Sequence, residues 1–213
     1  MKNIILIIVI FISLSINAQD KGFSIGLEAG PSIVTLYGDN TTDFDKKIKI
    51  SGIGAITTKF NFNKFFSLKS GIGFERKGIT SYLEFTNEFG ETIMEGTSTS
   101  NFDYVTIPLL AQLELGNKVK FLLNMGPYIS YLLRFSSNSS FDINSSSTLD
   151  SFNRFDFGIT SNIGILYKIN EDLSITIEAR NSLGLYNIAA YSGSIKTNSL
   201  AIITGISYSL NKE

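Results

Sequence analysis

The sequence predicts an all-β fold, an eight-stranded antiparallel up-and-down transmembrane β-barrel, on three observations. Long runs alternate apolar and polar side chains, the connections between runs alternate short and long, and glycines share the polar face of the runs with charges of both signs. Each observation has a separate physical cause, and all three require the same architecture.

Period-two alternation is the signature of a strand with two unlike faces. The mature chain begins this way, with Phe23, Ile25, Leu27 and Ala29 opposite Ser24, Gly26 and Glu28. In 66–75, Phe66, Leu68, Ile72 and Phe74 stand against Ser67, Lys69, Gly71, Gly73 and Glu75. Phe121, Leu123, Met125, Ile129, Tyr131 and Leu133 make a longer stripe, and Leu173, Ile175, Ile177 and Ala179 oppose Ser174, Thr176, Glu178 and Arg180. Extending the pattern gives strands at 23–36, 50–61, 66–80, 102–115, 119–134, 153–168, 173–187 and 198–210.

The connections after the second, fourth and sixth strands are tight: Asn61-Phe62-Asn63-Lys64, Gly116-Asn117-Lys118 and Asn170-Glu171-Asp172. The others are long and polar, the longest being 81–101 and 135–152. Short turns at one end and long loops at the other are the asymmetry of an outer-membrane barrel, with an even strand number placing both termini at the short-turn end. The strands are also long. A tilted membrane-spanning strand needs ~9–11 residues, and in hydrocarbon a sheet must close on itself to pair its backbone.

A soluble, lipocalin-like barrel binding a lipophilic ligand would turn the apolar stripe inward; a membrane barrel turns it outward. The polar face carries Gly26, Gly71, Gly73, Gly126, Gly158, Gly164, Gly184 and Gly205, and eight strands leave an interior barely wide enough for side chains. Small residues belong there, so the membrane reading is preferred. The same face carries Glu28, Lys69, Glu75, Lys77, Glu114, Lys120, Asp156, Glu178 and Arg180. Buried charges need partners, so these are expected to form a salt-bridged lumen network without an open diffusion pore.

Two aromatic belts are expected at the head-group levels. Phe62, Phe65, Phe66, Phe121, Tyr167 and Tyr208 lie near the tight turns, and Tyr37, Phe102, Tyr104, Tyr131, Phe135, Phe155 and Tyr186 toward the long loops. Pro31, Pro108 and Pro127 fall inside predicted strands, where each deletes a ladder donor. A bulge or local break is expected at each.

Composition narrows the function. The 213 residues contain no Cys, His or Trp, with 18 Lys+Arg against 19 Asp+Glu. No thiolate or imidazole is present for zinc, haem or iron–sulfur ligation, nor for Ser-His-Asp or Cys-His catalysis. No catalytic, metal or cofactor site is expected, and a net charge of −1 gives no basic surface for nucleic acid. Residues 1–18 read as a cleaved signal peptide, with Lys2, the apolar run 4–12 and Ala18 before the cut. The apolar core is too short to span a membrane. The barrel domain is therefore 19–213.

Tyr104-Val105-Thr106-Ile107-Pro108-Leu109-Leu110 resembles the Tyr-x-x-Ile-Pro-Leu-Leu strand of the outer-membrane β-barrel domain family common in Bacteroidetes, the PorT-like or "porin family" group. Ser67–Phe74, Phe155-Asp156-Phe157-Gly158 with Gly164, and Leu183–Ile188 resemble its third, sixth and seventh strands. Ala111-Gln112 replaces the basic residue usual after the paired leucines. The resemblance implies an eight-stranded barrel in the outer membrane and carries no catalytic motif. Expected partners are outer-membrane lipid and a protein or surface partner reached through 81–101 and 135–152, in a structural or secretion-accessory role.

Overall fold

A sheet whose apolar face meets hydrocarbon has no water to satisfy its edge strands, so it pairs them by closing a ring, and the chain does so. A computed structural model describes residues 22–38, 46–47, 49–140, 149–190 and 193–210; the proposed export segment lies outside them. Eight long strands follow one another: β1 (Gly22–Tyr37), β2 (Ile50–Asn61), β3 (Phe66–Thr86), β4 (Thr92–Gly116), β5 (Val119–Ser139), β6 (Phe155–Lys168), β7 (Leu173–Gly184) and β8 (Lys196–Ser209). Each pairs antiparallel with its sequence neighbours, and β1 pairs with β8 to close the ring. Following the register from Phe23 through Phe60, Leu68, Ala111, Met125, Ser161, Asn181 and Leu200 returns to β1 at Ile33, ten residues further along. Such a stagger requires steeply tilted strands, which is why they are longer than the slab they cross.

The apolar stripe faces out. Ile25, Leu68, Leu109 and Ile177 are 41%, 37%, 50% and 57% exposed, while the alternate positions Ser24, Glu28, Lys69, Glu178 and Arg180 are buried. An inward-facing lipophilic calyx is thereby disfavoured. All eight glycines of the polar face sit on the lumen side of their strands. Gly158 shows why the lumen needs them: a Cβ there would lie 2.0 Å from the Leu183 carbonyl oxygen and 2.6 Å from the Tyr128 ring.

The tight turns are built from asparagine. Asn63 Oδ1 accepts the Phe65 and Phe66 amides at 2.9 Å each, and Asn170 Oδ1 accepts those of Asp172 and Leu173 at 3.0 and 2.7 Å. Both use the short amide side chain as a mimic of a backbone turn. The third turn passes through Gly116 at φ 122°.

The long connection at 81–101 is mostly strand, correcting the expectation of a loop. Register pairs between β3 and β4 run unbroken from Gly73↔Thr106 as far as Phe85↔Met94, with a shift before Thr86↔Thr92. The two strands are 21 and 25 residues long. Beyond the lipid both faces of a hairpin are wet, so the hydrophobic period that marks a strand disappears while backbone pairing continues. The first part of 135–152 is likewise strand, since β5 continues to Ser139.

Each proline interrupts the ladder on one side without distorting the strand. Between β3 and β4 the pairs skip from Ser70↔Leu109 to Gly73↔Thr106 beside Pro108. Between β4 and β5 they skip from Pro108↔Tyr128 to Ala111↔Met125 beside Pro127. Between β1 and β8 they skip from Ala29↔Thr204 to Ser32↔Ala201 beside Pro31. At Pro108 the Ser70 hydroxyl donates to the proline carbonyl at 2.8 Å and bridges the gap. The local-break half of the expectation applies.

The one bulge in the β4–β5 ladder lies elsewhere, where Asp103 pairs with Arg134 but Tyr104 pairs with Leu132. Leu133 is the extra residue. The phase of β5 flips there, so Phe135 turns inward beside Phe102 (centroids 5.0 Å). The belt assignment of Phe102, Tyr104 and Phe135 is therefore corrected: Phe102 and Tyr104 are buried in a cluster with Leu132, against which Phe135, Leu149 and Phe152 pack. The loop-side girdle is Phe74, Tyr131, Phe155, Phe157 and Tyr186, all exposed, with edge contacts Tyr131–Phe155 at 5.3 Å and Phe157–Tyr186 at 5.6 Å.

Candidate functional site

Inward positions on eight strands converge on one narrow axis, so charges distant in sequence become neighbours. They sort into layers from the turn end to the loop end.

At the turn end Glu114 accepts from Lys59 at 2.6 Å, Lys120 at 2.7 Å and Gln112 at 2.7 Å. In the middle, Lys69 lies between Glu28 and Glu178, pairing with both, the latter at 2.8 Å. Arg180 donates to Glu28 at 2.9 Å. Asn124 and Asn162 donate to the second oxygen of Glu178 at 2.9 and 2.7 Å. Nearer the loops, Lys77 bridges to Asp156 at 3.0 Å and Thr197 at 3.1 Å, its ammonium 4.9 Å from the centre of the Tyr104 ring. Asp156 also accepts from Thr197 at 2.8 Å and Tyr128 at 3.3 Å. Glu75 accepts from Ser199. Beside this layer Phe102, Tyr104 and Leu132 form a buried apolar cluster on β4 and β5.

All nine charges named from the sequence thus line one lumen, and eight of them make the ion pairs just described. Glu75 is held by a hydroxyl instead. One residue was missed. Lys59 is only 16% exposed and pairs with Glu114, and it was legible from the parity of β2, where Ile56 and Phe60 face out and Thr57 faces in. With Lys59 the lumen set becomes five acids and five bases, so its net charge is zero. Lys59 and Lys69 are register partners; their like charges are tolerated because Glu114 takes one and Glu28 with Glu178 the other. Of the Ala111-Gln112 pair that departs from the resembling pattern, Gln112 donates to Glu114.

Among the described residues no group of three or more His, Cys, Asp or Glu side chains could hold a metal ion. What the arrangement does is set opposite charges against one another on facing strands of the lumen.

The model of the outer membrane protein beta-barrel domain matches residues 17–190, most of the chain. The chain belongs to that family. Its barrel resembles OprG from Pseudomonas aeruginosa, with TM-score 0.51 and 10% identity over 90% of this chain and 98% of that one. It also resembles Neisserial surface protein A, with TM-score 0.50 and 13% identity over 87% and 96%. At such identities the likeness concerns the fold. No curated protein sequence matches the chain.

Membership of the outer membrane protein beta-barrel domain family places the protein in the outer membrane, and the geometry fits that solvent. The exposed apolar residues meet hydrocarbon, and the lumen charges are shielded from it by the strands that carry them.

Proposed function

We propose that the protein is a sealed, non-enzymatic outer-membrane barrel that acts structurally and through the β3–β4 hairpin it raises above the lipid, in a surface-interaction or secretion-accessory role. What supports this reading is the set of ion pairs that joins strands through the lumen. Five acids and five bases leave the bore neutral, and the middle and loop-side layers are tied by contacts between strands far apart in sequence, Lys69–Glu178 and Lys77–Asp156. An ion entering would have to break such pairs in a low-dielectric tube. With the bore closed, the parts available to other molecules are the outer wall and the loop-end elements.

The Tyr104–Leu110 strand favours assignment to the PorT-like group of Bacteroidetes, and the Lys2-to-Ala18 pattern favours an export signal removed on secretion. The absence of His and Cys supports the non-enzymatic reading. The hairpin tip displays Phe89, Ile93 and Met94, all more than half exposed, beside Glu84, Glu88, Glu91 and Glu95. Apolar side chains presented in water on a paired ribbon are suited to a protein partner.

Single-channel recording in planar bilayers tests the seal. The expected trace is flat, with brief noise at most. Steady, large unitary steps would defeat the closed-bore reading.

A further inference from the structure

The barrel wall opens on one side at the loop-side girdle. β2 and β3 are register partners up to Ile53↔Glu75, and pairing resumes only at Lys47↔Thr80. Between those points lies a groove on the outer wall, lined by Lys49, Ile50, Gly52, Gly54, Phe74 and Arg76. Its floor is smooth because Gly52 and Gly54 face outward: a Cβ at either would meet nothing nearer than a carbonyl oxygen at 3.9 Å. Ile50 and Phe74, both exposed, make its walls apolar.

The upper end of the groove is cationic. Lys49 Nζ donates to Asn101 Oδ1, its stem lying over Gly78. Arg76 donates through Nε and one Nη to Asp103 at 2.6 and 3.0 Å, yet its side chain is 52% exposed. That geometry fixes the guanidinium plane beside the groove, which Arg76 lines. Arg134 is the register partner of Asp103 on the far side and is also exposed. Three cations against one carboxylate leave this patch positive. On the outward faces of the other strands between the two girdles, side chains are apolar or neutral.

A cationic mouth at head-group level above an apolar groove in the lipid-facing wall matches a molecule with an anionic head and a hydrocarbon tail. We propose that the β2–β3 wall is a binding site for a phosphate-bearing lipid of the outer leaflet. The phosphate is held between Lys49 and Arg76, and an acyl chain lies along Gly52 and Gly54 against Phe74. Arginine and lysine supply complementary recognition there, a fixed planar fork and a mobile point charge. The inference is independent of whether the bore conducts, because the groove is on the outer wall.

The test uses the folded full-length barrel in detergent micelles, titrated with bis-phosphorylated lipid A and, separately, with its dephosphorylated form, following the thermal unfolding midpoint. The phosphorylated lipid is expected to raise the midpoint saturably and the dephosphorylated lipid to have little effect. Lys49→Gln with Arg76→Gln should raise the half-saturating concentration roughly thirtyfold, the loss expected for two basic groups near anionic lipid. Gly54→Leu fills the floor without touching a charge and should also weaken binding, while Lys118→Gln at the turn end should not. Retention of heat-modifiable gel migration in every variant establishes that each is folded. Unchanged saturation in the double variant, or equal stabilisation by the dephosphorylated lipid, would overturn the site. Equal stabilisation by inorganic phosphate alone would reassign it to a free anion. A dimer that only the variants lose would assign the wall to a second copy of the chain.

Discussion

Lys77 and Asp156 meet at 3.0 Å across the lumen, the lysine side chain 2% exposed and the aspartate 0%. They are 79 residues apart in sequence, on β3 and β6, and belong to no common ladder. Only closure of the ring brings them together, so the pair reports on closure itself.

Removing one partner leaves the other charge buried and unpaired, at a cost of about 3–5 kcal/mol. Lys77→Met is therefore expected to lower the urea midpoint of the micelle-embedded barrel markedly. Lys77→Met combined with Asp156→Leu should recover much of the loss, because an apolar pair of similar volume avoids the desolvation of both ions. A double variant as unstable as the single would show that Asp156 is satisfied by Thr197 and Tyr128 without the lysine.

The two faces of β7 give a second expectation. Ile177 is 57% exposed on the lipid side, and Thr176, one residue earlier, is buried on the lumen side. Ile177→Lys should cost about 2–4 kcal/mol near the bilayer midplane. Thr176→Lys should be milder, because a carboxylate-bearing lumen offers the new ammonium partners. Folding yield into liposomes measures both. Equal damage from the two substitutions would contradict the facing seen here.

Glycines divide in the same way. Gly158→Ala forces a methyl to 2.0 Å from the Leu183 carbonyl, an overpacking that costs about 1–3 kcal/mol. Gly54→Ala places the methyl in open space on the outer wall and should change stability by no more than about 0.5 kcal/mol. Denaturant titration of the two variants beside the parent compares them directly. Similar losses would mean that backbone freedom, rather than steric contact, governs both positions.

How far these features were legible depends on the environment of each residue. Within the lipid slab each strand has one greasy and one polar face, so Phe66–Glu75 and Leu173–Arg180 declare their facing in the residue pattern alone. The nine lumen charges followed from the same parity, and so would Lys59 have followed, since it sits between Thr58 and Phe60 in an ordinary alternation. Leu133 hid the bulge because its apolar side chain continues the outer stripe; the phase change becomes visible only when Asp103 is paired with Arg134 and Tyr104 with Leu132. Phe135 was assigned to a belt for that reason, whereas Phe102 and Tyr104 face the lumen by the ordinary parity of β4, opposite Ile107 and Leu109. The hairpin at 81–101 was hidden by solvent on both sides. The partners of individual charges, such as Lys69 with Glu178, depend on the stagger of the whole ring, which no local pattern encodes.

The hairpin tip supplies the last expectation. Asn87 organises it: its backbone amide donates to the Glu91 carbonyl at 2.9 Å, its carbonyl accepts from Gly90 at 3.0 Å, and its Oδ1 accepts the Phe89 and Glu91 amides at 3.0 and 2.9 Å. Gly90 completes the turn at φ 80°. Asn87→Ala removes both side-chain contacts to the backbone, yet it lies on a ribbon that shares no lumen layer with the barrel. Stability is not uniform across a structure, and a projecting hairpin opens locally while the ring stays closed. Limited proteolysis at 87–91 is expected to speed up several-fold in the variant, while the urea midpoint of the barrel stays that of the parent. A matching fall in the midpoint would mean that the ribbon and the barrel unfold as one unit, and that the tip is coupled to the lumen layers beneath it.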